Sequence, residues 1–252
     1  MKRRQLIQYA GAGLASVIGS SLWGDRGLAQ SGGVTIRSLG HMSFLFSGSG
    51  IKILSNPFRS LGCTAKLPAP KVDADLVLIS SQLLDEGAVD VVPGNPRLLY
   101  EAGNYEVNGI KIQGISMDHD RKGGRRFGKN VAWRWTQGGL SILNLGGAAA
   151  PINIEQKILM GAPDILIIPV GGGPKAYTPE EAKATLQVFN NPKVVIPMQY
   201  LTAAADKNKC DLVALDEFLK LMKDTPVRRP GTSVNLSKGN LPKAGNVIQV
   251  LS

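Results

Sequence analysis

The feature that most constrains this chain is a change in how its strand-like segments are joined. Val34–Ser38, Ser43–Ser47 and Ile51–Ser55 are short, apolar-rich segments, and Gly48, Ser49 and Gly50 between the last two signal a hairpin. Tyr105–Val107 and Ile110–Ser116 flank Asn108–Gly109, a second hairpin signal, while Asn130–Thr136 and Leu140–Leu145 flank a third, Gln137–Gly138–Gly139. Between them, Asp75–Ser80 carries an unbroken apolar run from Leu76 to Ile79, which fits a strand covered on both faces. From Ile154 onward, strand and helix alternate. Ile154–Met160 predicts a short helix closed by Gly161. Asp164–Val170 and Lys193–Pro197 predict buried strands. Thr178 as N-cap, Pro179 in the first turn and the acids Glu180 and Glu181 start a helix that runs to about Asn190. Asp211–Met222 predicts an amphipathic helix with Leu212, Leu215, Phe218, Leu219 and Met222 on one face, and Val247–Leu251 a closing strand. Local hairpins followed by βα alternation require sheets with both antiparallel and parallel strands, covered by helices. A two-sheet sandwich with outer helices satisfies this. Trp133 and Trp135 alternate with Ala132, Arg134 and Thr136, so they are expected to face the core.

The first residues have a different character. Lys2, Arg3 and Arg4 precede a mild apolar stretch from Leu6 to Leu22, and Gly27 and Ala29 stand at the −3 and −1 places of a small-residue cleavage site. Paired arginines before a weak apolar core resemble a twin-arginine signal. The expectation is a signal over residues 1–29, a single domain over 30–252, and export to a periplasm or a thylakoid lumen. The stretch is too weakly apolar for a membrane helix, and no later segment is long and apolar enough, so a transmembrane protein is not expected after cleavage.

Residues 1–29 hold four basic residues and one acid, so losing them lowers the formal charge from +10 to +7. That basic balance favours an acidic partner, a small anionic ligand or an anionic membrane surface, and it equally serves solubility. Nucleic acid is not an expected partner outside the cytoplasm. Cys63 and Cys210 are the only cysteines. An oxidising compartment permits a bridge, but their spacing does not decide whether they pair.

Several loop sequences carry a resemblance. LGHMSFLFSGSGIKILSNPF (Leu39–Phe58), DADLVLIS (Asp73–Ser80), DHDRKGG (Asp118–Gly124), GAPDILIIPVGGG (Gly161–Gly173), TPEEAKA (Thr178–Ala184) and NPKVVIPMQY (Asn191–Tyr200) occur in this order. Together they resemble the metallo-β-lactamase superfamily, in its UlaG-like, lactonase-like branch of metal-dependent hydrolases, from about Val34 to Tyr200. The resemblance implies the metallo-β-lactamase fold, a four-layer αββα sandwich of α/β (α+β) class with its site at one edge of the two sheets. It also implies a dinuclear metal centre held by an SHxHxDH motif, a further His, a bridging Asp and a final His, which would generate hydroxide and polarise a scissile bond.

This chain departs from that ligand set. With Ser80 on the motif's Ser, the three histidine positions hold Ser81, Leu83 and Glu86, and only Asp85 matches. His119 falls on the next ligand, Gly147 on the bridging Asp, Gln199 on the last His, and Asn56 on the Asp of the family's LTDPF. The chain has two histidines, and His41 belongs to the GHxSF turn, so a histidine-rich centre cannot form. The leading expectation is a degenerate relative, a pseudoenzyme, that binds a ligand or protein through the old cleft. His41, Asn56, Ser81, Asp85, Glu86, His119 and Gln199 are its cleft candidates. No cofactor is expected; the vestigial ligands Asp85 and His119, with Glu86, are the candidates for one divalent metal. Two alternatives stay open. One is altered hydrolysis with a single metal, or with Ser81 and His119 as nucleophile and base. The other is an interaction module in which Arg121, Lys122, Arg125 and Arg126 bind an anion or an acidic surface.

Overall fold

The computed structural model describes residues 32–189 and 192–252. The expected signal segment lies outside the described residues. The described residues form one compact unit. Among the described residues there are fourteen strands: β1 (Val34–Gly40), β2 (Ser43–Gly48), β3 (Ile51–Ser55), β4 (Leu76–Leu78), β5 (Arg97–Leu99), β6 (Gly103–Val107), β7 (Ile110–Asp118), β8 (Lys129–Gln137), β9 (Leu140–Asn144), β10 (Ile165–Pro169), β11 (Val194–Met198), β12 (Val227–Gly231), β13 (Ser233–Leu236) and β14 (Val247–Leu251). The α-helices are α1 (Ile154–Met160), α2 (Pro179–Val188) and α3 (Leu215–Leu221).

The strands form two sheets, ordered β13-β1-β2-β3-β4-β5 and β12-β14-β11-β10-β9-β8-β7-β6. Each changes from antiparallel to parallel along its width. In the first, β3 pairs antiparallel with β2 and parallel with β4. In the second, β9 pairs antiparallel with β8 and parallel with β10. That is the switch between hairpins and βα alternation seen in the sequence. Strand alternation then fills three layers. Ile36, Phe46, Ile53 and Leu76 of one sheet meet Trp133, Trp135, Ile142 and Ile167 of the other in the central core. Leu143, Ile168 and Val195 face outward under Met160, Leu186 and Phe218 of the three helices. Leu45, Leu54, Val77 and Ile79 face outward on the six-stranded sheet. Among the described residues, the 3-10 turn Val89–Val91 and loop residues Val72 and Ala74 pack on that last face, and the α-helices all lie over the eight-stranded sheet.

Both tryptophans are buried and both hold a polar bond. Trp133 Nε1 donates to the Ile79 carbonyl at 3.0 Å, joining the two sheets. Trp135 Nε1 donates to Gln137, whose amide donates to the carbonyls of Gly48 and Ile51. The α2 start follows its sequence signals: the Thr178 hydroxyl accepts from Glu181 N, and the Glu181 carboxylate accepts from Thr178 N.

Two expectations differ from the structure. The helix expected over Asp211–Met222 begins only at Leu215. Val213 N donates to the Gly171 carbonyl and Leu201 N to the Val213 carbonyl, and these bonds hold the preceding residues extended. Leu212 is buried by that segment, which is why it fell on the apolar face of the expected helix. Strands β5, β12 and β13 were not expected. They are short edge strands, and β12 reads Val-Arg-Arg-Pro-Gly with every residue exposed, so it has no alternation to detect.

Cys63 and Cys210 form a disulfide, with Cα atoms 4.7 Å apart across 147 residues of sequence. It ties the 3-10 turn Gly62–Thr64 to the irregular segment around Cys210, and the two stretches also bond through Lys66 N to Ala204 O and Asp206 N to Gly62 O. Closing so long a loop restricts the unfolded chain strongly, so reduction or the paired Cys63→Ser, Cys210→Ser change is expected to cost about 2–5 kcal/mol. Urea unfolding with and without dithiothreitol measures this, and equal midpoints would refute it.

Candidate functional site

The loops that follow β4, β9, β10 and β11 gather at one edge of the sandwich, with the β1–β2 and β7–β8 connections beside them. Ser80 anchors the first. Its N–H donates to Asn56 Oδ1 at 2.8 Å, and its carbonyl accepts from Val131 N at 2.8 Å. Asn56, His41 and Gln199 all hold left-handed backbone, with φ of 48°, 55° and 53°. Gln199 N donates to the His41 carbonyl, so two of these strained turns support each other.

At the centre lie Glu86 and His119, both fully buried, with Glu86 Oε1 3.2 Å from His119 Nε2. Neither side chain has a hydrogen-bond partner of good geometry, so this is a close contact rather than a directed bond. Lys175, from the loop after β10, reaches the pair. Its ammonium forms an ion pair with Asp85 and lies 3.8 Å from Glu86 Oε1. Burial alone would raise the Asp85 pKa, but the charge and hydrogen bond of Lys175, with smaller help from His41, hold it below the usual carboxylate value. Burial pushes the His41 pKa down to about 4 with help from Lys175, against the pull of Asp85 and Glu86. His41 is therefore neutral at neutral pH.

The expected cleft residues come together unequally. His41, Asp85 and Gln199 line a cavity of about 220 Å³ with Arg126, Phe127 and Lys175. Glu86 and His119 lie buried beside it, Asn56 supports Ser80, and Ser81 opens on a separate hollow of about 440 Å³ with Leu83 and Lys129. Ser81 Oγ accepts from Leu83 N and makes no hydrogen bond to His119.

The four expected anion-binding residues divide as well. Arg121 is engaged: its guanidinium pairs with Glu181 and donates to the carbonyls of Gly173 and Ala176. Lys122, Arg125 and Arg126 are exposed, and Arg126 stacks over Phe127 at 4.8 Å from the ring centre. The loop itself is ordered by Asp120, whose carboxylate accepts from the N–H groups of Lys122, Gly124, Arg126 and Phe127. Those bonds outweigh desolvation and depress its pKa, so Asp120 is a loop anchor.

A dinuclear metal centre does not fit these residues. A Cβ at Gly147, where the family's bridging Asp would stand, would lie 2.5 Å from Glu86 Oε2 and closer still to His119 Nε2. The Glu86–His119 pair closes the space a bridging carboxylate needs. Among the described residues, no three His, Cys, Asp or Glu side chains are grouped so as to hold a metal ion. Sequence reading missed Lys175. It stands in a Gly- and Pro-rich loop 90 residues from Asp85, and no local spacing links the two.

Comparison with known proteins agrees with this two-sheet fold. A model of the beta-lactamase superfamily domain matches residues 35–199. A metal-dependent hydrolase from Thermococcus kodakarensis is 26% identical over 198 residues, covering 67% of this chain and 85% of that protein. A provisionally assigned Zn-dependent hydrolase of the metallo-β-lactamase superfamily from Thermotoga maritima superposes with a TM-score of 0.69 at 31% identity, covering 86% of this chain and 98% of that one. A metallo hydrolase from Ignicoccus hospitalis shares the fold alone, with a TM-score of 0.57 at 17% identity over 81% of this chain and 99% of that one.

Two outcomes follow from the geometry. Gly147→Ala is expected to destabilise by about 1–3 kcal/mol through overpacking, and Glu86→Ala in the same chain to restore part of the loss. Urea denaturation of the single and double variants tests this; a neutral Gly147→Ala would contradict it. His41 binds a proton more weakly folded than unfolded, so between its ordinary 6.5 and about 4 the unfolded state holds more protons. Its contribution to stability is thus lost as pH falls through that window. Asp85 acts in the same sense, its contribution being lost as pH falls through its depressed folded value. Midpoints measured from pH 7 downward are expected to drop, with a shallower slope for His41→Asn, which removes the titrating imidazole and still tolerates left-handed backbone.

Proposed function

Because this chain belongs to the metallo-β-lactamase superfamily, we propose that it keeps the fold of a metal-dependent hydrolase and uses the cleft for binding rather than metal-assisted hydrolysis. The observation that carries this reading is the closed Glu86–His119 contact against Gly147. Its donor set is also changed: Ser81 faces another hollow, Leu83 has no donor, and Asp85 is paired with Lys175. The remaining cavity, with neutral His41, the Gln199 amide and the Arg126 guanidinium around it, suits a small polar or anionic ligand. The residues on the family's ligand positions would thus shape a pocket instead of holding metal.

Export is part of the same proposal. The twin-arginine-like N-terminus motivates it, and the Cys63–Cys210 disulfide supports it, because such bridges persist in oxidising compartments.

The test is metal content. The purified chain, prepared without chelator or metal-affinity resin, is expected to carry no stoichiometric metal by mass spectrometry. Its melting temperature should not respond to Zn²⁺ or Mn²⁺. Inorganic phosphate or small carboxylates should raise it, and Arg126→Ala should weaken that rise. One bound metal per chain, with hydrolytic turnover abolished by Asp85→Asn or His119→Ala, would replace this reading with an altered hydrolase.

A further inference from the structure

Glu86 poses a problem of charge. Its side chain is fully buried, and neither carboxylate oxygen has a hydrogen-bond partner. His119, at 3.2 Å, is also fully buried. An isolated buried carboxylate is strongly disfavoured, so something must compensate it. Asp85, the adjacent residue, brings a second carboxylate whose side chain is only 21% exposed.

Lys175 answers both. Its side chain is 17% exposed, and its ammonium touches Asp85 and stands 3.8 Å from Glu86. Such partial burial keeps the attraction from being screened as it would be at the surface. The loop that carries Lys175 is fixed on both sides. Arg121 donates to the carbonyl of Gly173, two residues before it, and to that of Ala176, immediately after it. The same guanidinium pairs with Glu181, which caps α2, and Gly172 N donates to the Tyr177 carbonyl. The ammonium is therefore held from one side by its carboxylate partners and from the other by a braced loop.

We infer that Lys175 is a tethered counter-cation: its ammonium supplies, from within the chain, the positive charge that Asp85 and Glu86 on the family's ligand positions would otherwise take from a metal ion. The inference rests on the metal-free reading above and deepens it. A covalently attached cation cannot dissociate or be chelated, so the centre's charge balance is independent of metal supply. It also accounts for the two changes at once: Glu86 introduces a carboxylate where the motif has an imidazole, and Lys175 neutralises it. Arg121, two residues after His119, is then a positioning residue that acts through the Lys175 loop.

The test is a set of urea denaturation curves on the full chain, each run with EDTA and with millimolar Mn²⁺. Wild type should be indifferent to both additions. Lys175→Met should lower the folding constant roughly tenfold to a hundredfold. Mn²⁺ should restore part of that loss in this variant alone. Glu86→Gln should destabilise the wild type but stabilise the Lys175→Met chain. An equal effect of Glu86→Gln in both backgrounds, with no Mn²⁺ rescue, would overturn the inference while leaving the metal-free reading standing. Stoichiometric metal in the wild type would overturn that reading and the inference with it. If Lys175→Met does not fold, the chain also carrying Asp85→Asn and Glu86→Gln decides: its folding supports charge compensation, and its failure shows that Lys175 acts by packing.

Discussion

The end of β4 is where this structure is tied together. Ile79 and Ser80 leave the six-stranded sheet, yet their carbonyls are claimed by the other one, through the Trp133 indole and the Val131 amide. These bonds do two things. They satisfy backbone groups that would otherwise be buried without partners, and they set the distance between the sheets at the edge where the loops emerge. The Ser80–Glu86 loop can only lie where this clasp puts it, against the segment that begins at His119. Asn56 reinforces the arrangement from β3 by accepting the Ser80 N–H. The reach of Glu86 to His119, and of Lys175 to both carboxylates, depends on that one inter-sheet register.

Within that frame, the changed residues depend on one another. A side chain at 147 and the Glu86–His119 contact compete for one space, so glycine and glutamate belong together. Glu86 in turn requires nearby positive charge, which Lys175 brings, and Lys175 requires a braced loop, which Arg121 and Glu181 provide. Residues 41, 56 and 199 hold left-handed turns at this edge, and two of them, Asn56 and Gln199, present amides where the resemblance implies Asp and His. Restoring a single ligand would leave the others mismatched.

Much of the fold was legible because its signals are local. Asn108–Gly109 and Gln137–Gly138–Gly139 mark hairpins by turn chemistry, and Thr178–Glu181 marks a helix start by its own capping bonds. Where tertiary bonds overrode local preference, the reading failed. Residues 211–214 carry helix-compatible spacing but are pulled straight by Gly171 and Leu201. The edge strands β5, β12 and β13 take their conformation from their neighbours alone. At the site, the motif positions Asp85, Glu86, His119 and Gln199 were visible, whereas the occupation of Arg121 and the role of Lys175 were not, since each rests on contacts far apart in sequence.

The sequence by itself determined the superfamily architecture and the impossibility of a histidine-rich centre, because turn residues act locally and a count of two histidines needs no geometry. Only the tertiary structure decided that Cys63 meets Cys210, that Arg121 is engaged, and that Lys175 stands among the carboxylates. Those are pairings between residues 60 to 147 positions apart. Which of many distant charges and thiols become neighbours depends on how the two sheets and their loops pack, and no local spacing encodes it.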